Sequence, residues 1–514
     1  MIKTVLCVLL VFTLTAVSSQ TAKVEVLISV ADSLKPSWKE NGRLTVFFSK
    51  DGGRQPAFQS TFSPGRNAFA RNISGWTVFN KTEITGKNSF SAANFTLNNV
   101  PLEKWFVQAV YNVSEKPIIR QAGNFFSVVV ETTISENMVL ELELSQIVES
   151  GRNEKPADTE WVKYIDLESK LLSGFWQKPM NIQASVLLPR NFKKGNPKKY
   201  PLRINIGGYG SSWTRASRLE RNKEFMKWWQ SDNAPEIIQV FLNGADGPFG
   251  DPYYVDSKNN GPYGSALTKE LIPFIEKEFN GIGESKFRFL DGCSTGGWVS
   301  LALQIFYPDF FNGAWSFSAD PVDFHHMQLV NMYEDKNAFF NQFGYLTPSV
   351  RSKTGQPSLS IKDEVAGENL VSFENSYITS GGQWGGWNAV YSPRGKDGLP
   401  VAAFHPVTGE IDSVAVKNWE KYDLLKILDD NWEDLGPKLQ GKLWIWMGDM
   451  DQFYLNNAMR EMEKFLISAE KPKSDAAIIF EPMKGHCESF EHKWVLEMMQ
   501  KKVEELQKEN DTFN

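Results

Sequence analysis

The sequence predicts an α/β fold, with a mostly parallel sheet and helices on both faces, preceded by an all-β sandwich. Two patterns support this prediction. Apolar and polar residues alternate over residues 20–148, whereas near-continuous apolar runs alternate with helical patterns over residues 161–505. Between them, residues 149–160 are polar and contain a proline, as expected of a linker. The chain has 514 residues, 41% hydrophobic and 23% charged, which is ordinary globular composition.

Residues 1–19 have the three parts of a secretory signal peptide. One lysine precedes an apolar run from Val5 to about Val17, and small residues precede a cleavage site before Gln20. The apolar run is too short to cross a membrane as a helix. We therefore expect a secreted, extracellular protein without a membrane span. The alternative interpretation is a buried N-terminal strand or helix.

The predicted sandwich, residues 20–148, is built from strand-like runs rich in valine and phenylalanine: KVEVLISV, RLTVFFS, WFVQAVYNV, NFFSVVVETTI and MVLELELSQI. Export would permit glycosylation at the Asn-x-Ser/Thr sites Asn72, Asn80, Asn94, Asn112 and Asn510. Four of these five sites precede residue 120, which favours an exposed, sugar-tolerant N-terminal region.

The α/β region, residues 161–505, is predicted to be the catalytic domain. Its strand candidates are NIQASVLLP, PLRINIGG, EIIQVFLNG, FRFLDG, GAWSFS, KLWIWMG and AAIIFEPM. The helical patterns are GSALTKELIPFIEKEFN, GGWVSLALQIFY, LNNAMREMEKFLISA and FEHKWVLEMMQKKVEELQKE. The alternation stops over about residues 320–432, which predicts an insertion above the sheet. Residues 506–514 are expected to form a C-terminal tail.

Ser294 is the candidate nucleophile. It is the serine of a G-x-S-x-G pattern, Gly292 to Gly296, with an apolar strand before it and an amphipathic helix after it. A nucleophile elbow needs this strand–turn–helix context, because the glycines avoid clashes at the sharp turn. The helix N-terminus also favours a developing negative charge. An ordinary strand–helix turn is the alternative.

A serine hydroxyl needs a base, and His486 is the best placed histidine. It follows the last predicted strand, and this position fits the chain order Ser, Asp, His of α/β-hydrolases. The acid should leave the preceding strand, where Asp449 and Asp451 are both candidates. We favour Asp451, since Asp449 suits a turn or cap role.

Two backbone amides are expected to form the oxyanion hole. One is the amide of Thr295, directly after the nucleophile, and the other is the amide of Tyr209, in the glycine-rich segment INIGGYGSSW. A tight turn without a catalytic role would explain the same glycines.

These motifs resemble the "putative esterase" family of α/β-hydrolases, which includes esterase D and the enterochelin and feruloyl esterases. The resemblance lies in YPLRINIGGYG, NNGPYGSALTKELIPFIEKEF, GCSTGGWVSLALQIFYPDFFNGAWS and GDMDQFYLN, and covers roughly Trp161 to Glu505. It implies a Ser294–His486–Asp451 triad and serine carboxylesterase activity. Gly207 departs from the pattern, because many relatives carry a histidine there; this concerns the rigidity of the loop more than catalysis.

The two cysteines beside the triad resemble a second pattern. Cys293-Ser294, Asp451 and His486-Cys487 are similar to the CS-D-HC arrangement of tannase and fungal feruloyl esterases. That resemblance implies a Cys293–Cys487 disulfide, which would clamp the elbow to the histidine loop. Two unlinked, buried thiols are the alternative.

We expect no metal and no organic cofactor. His325 and His326, with Asp323, are a weak metal pattern without further ligand spacing. The net charge of −6 has no basic block behind it, which argues against a nucleic-acid partner. Trp384 and Trp387 are candidates for lining a substrate pocket, although packing within the insertion would explain them equally well.

Together these features predict a secreted serine carboxylic-ester hydrolase that forms an acyl-enzyme. Its substrate would be a small-molecule or carbohydrate-linked ester, and the sequence does not identify the acyl group, the alcohol or the oligomeric state. Three alternatives stay open: acyl transfer to an alcohol, peptide cleavage at the same site, and a non-catalytic recognition protein with an esterase-like body.

Overall fold

A computed structural model describes residues 20–59, 67–114, 119, 121–149, 155–245 and 247–512 of the chain. The predicted signal peptide, residues 1–19, lies outside the described residues, as do residues 150–154 of the predicted linker. Among the helices of the described segments, none is both long enough and apolar enough to cross a bilayer.

The N-terminal region is rich in β-strands. They are β1 Thr21–Ala22, β2 Val24–Val30, β3 Gly42–Ser49, β4 Asn67–Ile73, β5 Thr82–Ile84, β6 Phe90–Ala92, β7 Val100–Pro101, β8 Lys104–Asn112, β9 Phe125–Ser127, β10 Val130–Thr133 and β11 Met138–Ile147. Buried residues alternate with partly buried ones along β2 and mostly with exposed ones along β11, so one face of each strand faces an apolar core.

Within the described residues, nine of these strands pair into one connected sheet. Its order is β5-β2-β11-β9-β8-β3-β4-β6, with β10 paired to β8. The pairs are antiparallel except for β11 with β2. The β-rich character of the region is as predicted. Apart from β1 and β7, which pair only with each other, the described strands form this one connected sheet, so the two-layered sandwich stays a prediction.

The predicted glycosylation sites differ in accessibility. Asn80 and Asn94 are exposed. Asn72 is also exposed, but its Nδ2 atom, which would carry a glycan, donates to the Phe373 carbonyl at 2.7 Å. Asn112 is only 6% exposed, so a glycan there is incompatible with the packing of β8. The side chain of Asn510 lies outside the described part.

The second region carries the remaining strands and the longer helices. The strands are β12 Val162–Glu168, β13 Asn181–Leu187, β14 Leu202–Ile206, β15 Ile238–Leu242, β16 Asp256–Ser257, β17 Gly261–Pro262, β18 Arg288–Cys293, β19 Ala314–Phe317, β20 Pro348–Arg351, β21 Pro357–Ser360, β22 Leu443–Gly448 and β23 Ala477–Glu481.

The helices of this region are α1 Lys170–Trp176, α2 Arg215–Arg221, α3 Lys223–Trp229, α4 Tyr263–Ala266, α5 Ile272–Glu278, α6 Thr295–Phe306, α7 Ile361–Val371, α8 Gln383–Tyr391, α9 Ser413–Lys417, α10 Leu424–Leu439, α11 Asn456–Ser468 and α12 His492–Thr512. A π-helical segment, Leu267–Leu271, joins α4 to α5. Because α12 continues to Thr512, most of the predicted tail, residues 506–514, is helical.

The main sheet of this region has the mostly parallel character that the sequence predicts. Its eight described strands have the order β12-β13-β15-β14-β18-β19-β22-β23. β13 is antiparallel to both β12 and β15, and every later neighbour pair is parallel. Parallel strands place their carboxyl ends at one edge, where the loops after β14, β18, β19, β22 and β23 meet.

Helices cover both faces of the sheet. Phe289 and Leu290 are consecutive in β18 and belong to different apolar clusters, because successive side chains point to opposite faces. The Leu290 cluster includes residues of α5, α6, α10 and α11, whereas the Phe289 cluster includes residues of α2, α3 and α12.

The insertion lies between β19 and β22 and includes β20, β21 and α7–α9. The N-terminal region contacts it directly. Arg43 of β3 is 1% exposed, and its guanidinium donates to the Leu370 carbonyl at 2.7 Å and to Asn375 Oδ1 at 2.6 Å. Leu370, on α7, also packs in an apolar cluster with Phe47 and Ala70 of the N-terminal sheet. The N-terminal region therefore supports α7 from outside.

Candidate active site

Ser294 lies on the sharp turn between β18 and α6. Its backbone angles are φ 61° and ψ −126°, a conformation that side-chain-bearing residues rarely adopt. A Cβ atom on Gly292 would lie 2.5 Å from the Ile206 carbonyl oxygen, and one on Gly296 would lie 2.2 Å from the same atom. Both neighbours are backbone atoms, so glycine is required for the turn to pass against β14.

Asp451 and His486 form a hydrogen-bonded pair. Asp451 follows β22 and is fully buried, and its Oδ2 lies 2.7 Å from His486 Nδ1. The His486 loop follows β23 and is held by its own amide, which donates to Gln452 Oε1 at 2.6 Å. Burial lowers the pKa of His486, but the Asp451 charge and hydrogen bond outweigh it, so the pKa lies above its ordinary value.

Asp449, the other acid considered, has a different partner. It forms an ion pair with Arg460 and its side chain is 33% exposed. The imidazole contacts Asp451 and not Asp449. Asp451 therefore has the position that orients a catalytic histidine.

Ser294 and His486 line one cavity of about 370 Å³. In the described residues, no hydrogen bond joins them; the Ser294 hydroxyl instead donates to Asp320 Oδ1 at 3.4 Å. Catalytic hydrogen bonds are often loose in ligand-free structures. To reach the His486 imidazole, the hydroxyl would have to turn away from Asp320.

Cys293 and Cys487 are joined by a disulfide, with their Cα atoms 5.9 Å apart. The bond connects the residue before Ser294 to the residue after His486, across 194 positions of sequence. The Cys487 amide also donates to Ser318 Oγ at 3.1 Å. The histidine loop is thus fastened to the carboxyl ends of both β18 and β19.

The amides of Tyr209 and Thr295 lie near the serine. A Cβ atom on Gly208 would be 3.6 Å from Ser294 Cβ, so the loop after β14 runs against the nucleophile turn. The loop is held by Asp251, which accepts from the Gly210 amide at 2.9 Å. Among the described residues, the amides of Tyr209 and Thr295 have no hydrogen-bond acceptor, so they are available to bind an oxyanion.

The insertion closes the other side of the cavity. Trp387 lines it, as do Gln383 and Glu364. Trp384 does not line it; this residue is fully buried and packs edge-on against Trp387 and Phe404. Of the two tryptophans that the sequence singled out, only Trp387 reaches the cavity.

Asp320 is a site residue that the sequence analysis missed. It follows β19, is 3% exposed and touches both Ser294 and Thr295. The sequence could have predicted its position. β19 is the parallel neighbour of β18, so a residue just after β19 must lie at the same edge of the sheet as Ser294. Its carboxylate was overlooked because no motif includes it.

The histidine pair lies outside the cavity. Asp323 Oδ1 and Oδ2 contact the Nδ1 atoms of His325 and His326 at 2.7 and 3.0 Å. Ligand atoms of Asp323, His325 and Asp423 lie within 4.8 Å of one another. Asp423 already has hydrogen-bond partners: its Oδ2 accepts from the Phe324 amide and the Tyr333 hydroxyl, each at 2.9 Å. The cluster is a hydrogen-bonded turn whose oxygens would need to exchange partners to bind a cation.

A match to a protein family agrees with the esterase resemblance. The family described as "Putative esterase" matches residues 177–503. Uncharacterized protein YjcH of Bacillus subtilis (strain 168) is 23% identical over 238 residues, 43% of this chain and 94% of that protein. A ferulic acid esterase structure is 16% identical and covers 66% of this chain and 96% of its own, with a TM-score of 0.42.

A further solved structure is FphF, a fluorophosphonate-binding serine hydrolase of Staphylococcus aureus. It is 15% identical and covers 66% of this chain and 96% of its own, with a TM-score of 0.38. Both structural similarities are too low to carry an argument. The family match covers well over half of the chain.

Proposed function

Because the chain belongs to this esterase family and is a carboxylic ester hydrolase, we propose that it is a secreted serine esterase with Ser294 as nucleophile. His486 is the general base and Asp451 orients it. The observation that carries the proposal is the shared cavity: the strained Ser294 turn and the His486–Asp451 pair, 2.7 Å apart, meet at the carboxyl edge of one sheet.

In the first step, Ser294 turns toward His486, which takes its proton as Oγ attacks the ester carbonyl carbon. The carbonyl oxygen becomes negative and accepts hydrogen bonds from the amides of Tyr209 and Thr295. Asp451 holds Nδ1–H and stabilises the imidazolium. His486 then protonates the departing alkoxide, leaving the acyl group on Ser294.

In the second step, water attacks the acyl carbon. His486 takes one water proton and returns it to Ser294 Oγ as the acyl–oxygen bond breaks. The products are a carboxylic acid and the free enzyme. Each proton transfer uses side chains of the chain itself, so the mechanism requires no cofactor.

Two further observations support the proposed export and the proposed size of the substrate. A disulfide beside the nucleophile suits an oxidising compartment, in agreement with the signal-like residues 1–19. The cavity of about 370 Å³ is large enough for the acyl or alcohol group of a small-molecule or carbohydrate-linked ester. Trp387 and Phe453 give it aromatic walls.

The test combines turnover with covalent labelling. Wild-type protein should hydrolyse p-nitrophenyl esters and be labelled at Ser294 by a fluorophosphonate probe. Ser294→Ala should abolish labelling and lower kcat on the order of 10⁶-fold. Ser358→Ala, which removes an exposed hydroxyl in β21, should change neither.

The proposal fails if folded, oxidised wild-type protein is not labelled, or if Ser294→Ala keeps wild-type turnover. Mass spectrometry of the labelled peptide identifies the modified residue. Labelling at another serine would move the nucleophile away from the β18–α6 turn.

A further inference from the structure

Asp320 connects the nucleophile strand to its parallel neighbour β19. Its amide donates to the Ser294 carbonyl at 3.2 Å, and its carboxylate lines the same cavity as Ser294 and His486. The residue is 3% exposed. A second carboxylate, besides Asp451, is therefore fixed beside the reacting atoms.

The two oxygens of this carboxylate have unequal environments. Oδ2 accepts hydrogen bonds from four donors: the Tyr253 hydroxyl at 2.6 Å, the Thr295 hydroxyl at 2.9 Å, the Gln383 amide at 3.1 Å and the Trp387 indole at 3.2 Å. None of the ion pairs in the described residues includes Asp320. Burial raises the pKa of Asp320, and the Tyr253 and Thr295 hydrogen bonds oppose this rise.

Within the described residues, Oδ1 accepts a single, long hydrogen bond. Its donor is Ser294 Oγ at 3.4 Å. Once Ser294 is acylated, Oγ has no proton to donate, and Oδ1 loses this partner. An unsatisfied oxygen on a buried carboxylate is costly, so a new O–H donor should replace the serine there.

We propose that Asp320 Oδ1 positions the hydroxyl nucleophile of the second step, water or an acceptor alcohol. This inference rests on the proposed esterase function. One O–H of the water donates to Oδ1 and the other faces His486. The water oxygen bonds to the acyl carbon, His486 takes the proton that faces it and the acyl–Oγ bond breaks. The same proton then passes to Ser294 Oγ, and Asp320 keeps its charge throughout.

The charge of Asp320 also acts on His486. Burial lowers the pKa of the imidazole, while Asp451, from the loop after β22, and Asp320, from the loop after β19, raise it. Tyr209 and Glu364 line the same cavity, and Glu488 lies on the histidine's own loop. Among these groups, Asp451 and Asp320 are the ones that raise the pKa of His486.

The test separates the two chemical steps in Asp320→Asn, a change that keeps the side-chain shape. Fluorophosphonate labelling measures the attack by Ser294, and p-nitrophenyl acetate turnover includes the attack by water. We expect the labelling rate to stay within about 10-fold of wild type, while kcat falls about 100-fold. Intact-mass analysis during turnover should show acetylated Ser294 accumulating.

Asp323→Asn is the matched control. Asp323 is a carboxylate with the same 3% exposure in the same loop, but it does not line the cavity. Its substitution should leave both rates unchanged. The acid limb of kcat/KM should move to lower pH in Asp320→Asn, because the base loses a neighbouring charge that raises its pKa, and should not move in Asp323→Asn.

Equal losses in labelling and turnover, or no loss in either, would overturn the positioning role. If Asp320→Asn does not fold, as judged by thermal unfolding, Asp320→Glu serves instead. It keeps the charge but displaces the oxygens, and should again lower kcat more than labelling. Failure of wild-type protein to label at Ser294 would refute the esterase mechanism itself, which is a separate outcome.

Discussion

The cavity has two walls that differ in the partners of their buried carboxyl groups. The sheet wall, formed by the loops after β14, β18, β19, β22 and β23, pairs Asp451 with His486 and surrounds Asp320 with hydrogen-bond donors. The insertion wall, formed by α7 and α8, carries Glu364 and Glu368, whose pKa values burial raises to about 8 and about 7. None of the ion pairs in the described chain includes either glutamate.

The two glutamates of the insertion wall have structural partners. Glu368 accepts from the Trp384 amide at 2.8 Å and the Gly385 amide at 3.0 Å, and thus caps the first turn of α8. Glu364 accepts from the Ser349 hydroxyl. Under the proposed mechanism, the sheet wall supplies the reacting groups, and the contacts of the two glutamates hold the insertion wall in shape. Substitutions in the sheet wall should affect kcat. Substitutions in the insertion wall should affect the free energy of unfolding and its pH dependence.

The largest effect should come from the acid of the sheet wall. Asp451→Asn keeps the shape of the side chain but removes the charge that supports the imidazolium, so kcat should fall about 10⁴-fold. Asp449→Asn, two residues earlier, breaks only the partly exposed pair with Arg460 and should stay within about 10-fold of wild type. Steady-state kinetics of both variants decide between the two acids. Equal losses would mean that neither residue has a special role.

The second largest effect should come from removal of the Cys293–Cys487 disulfide, because this bond joins the nucleophile turn to the histidine loop. Replacing both cysteines by serine should lower the free energy of unfolding by up to about 5 kcal/mol, since the bond closes a loop of 194 positions. kcat should fall as well, because Ser294 and His486 lose their common anchor. Urea unfolding and steady-state kinetics measure the two effects. Full activity in verified double-serine protein would restrict the bond to a stabilising role.

The sheet wall was largely predictable from sequence, for physical reasons. Apolar runs such as those of β14, β18 and β22 are buried on both faces, so their hydrophobicity alone marks them as strands. The proposed nucleophile, acid and base were then predicted from their places after β18, β22 and β23, whose carboxyl ends lie at the same edge of the sheet. Among the strands of seven or more residues, two were not predicted, β4 and β12, because polar residues such as Asn72 and Asp166 interrupt their apolar pattern.

The insertion wall and Asp320 could not be predicted in the same way. The insertion has no regular apolar period, and its position depends on contacts between residues far apart in sequence, such as Arg43 with Leu370. The donors to Asp320 come from three separate segments of the chain: the loop that contains Tyr253, the start of α6, and α8. No local sequence pattern predicts that these donors surround Asp320, so the arrangement is visible only in the folded chain.

The smallest effect that separates the two walls concerns Glu368. Its pKa is raised from 4.5 to about 7 by burial, so the folded chain holds a proton that the unfolded chain releases between these values. Stability from this group is therefore present below about pH 4.5 and is lost as pH rises through about 7. The contribution is about 3 kcal/mol at most. Glu368→Gln does not titrate, so its unfolding free energy should decline less than that of wild type between pH 5 and pH 8.

Urea unfolding at the two pH values measures this difference, with Glu410→Gln as the control. Glu410 is an exposed carboxylate of the same insertion, and its removal should leave the wild-type pH dependence unchanged. If Glu368→Gln loses stability with pH as steeply as wild type, Glu368 is ionised in the folded protein throughout. The two amides at the start of α8 would then stabilise its charge, and the electrostatic distinction between the walls would disappear.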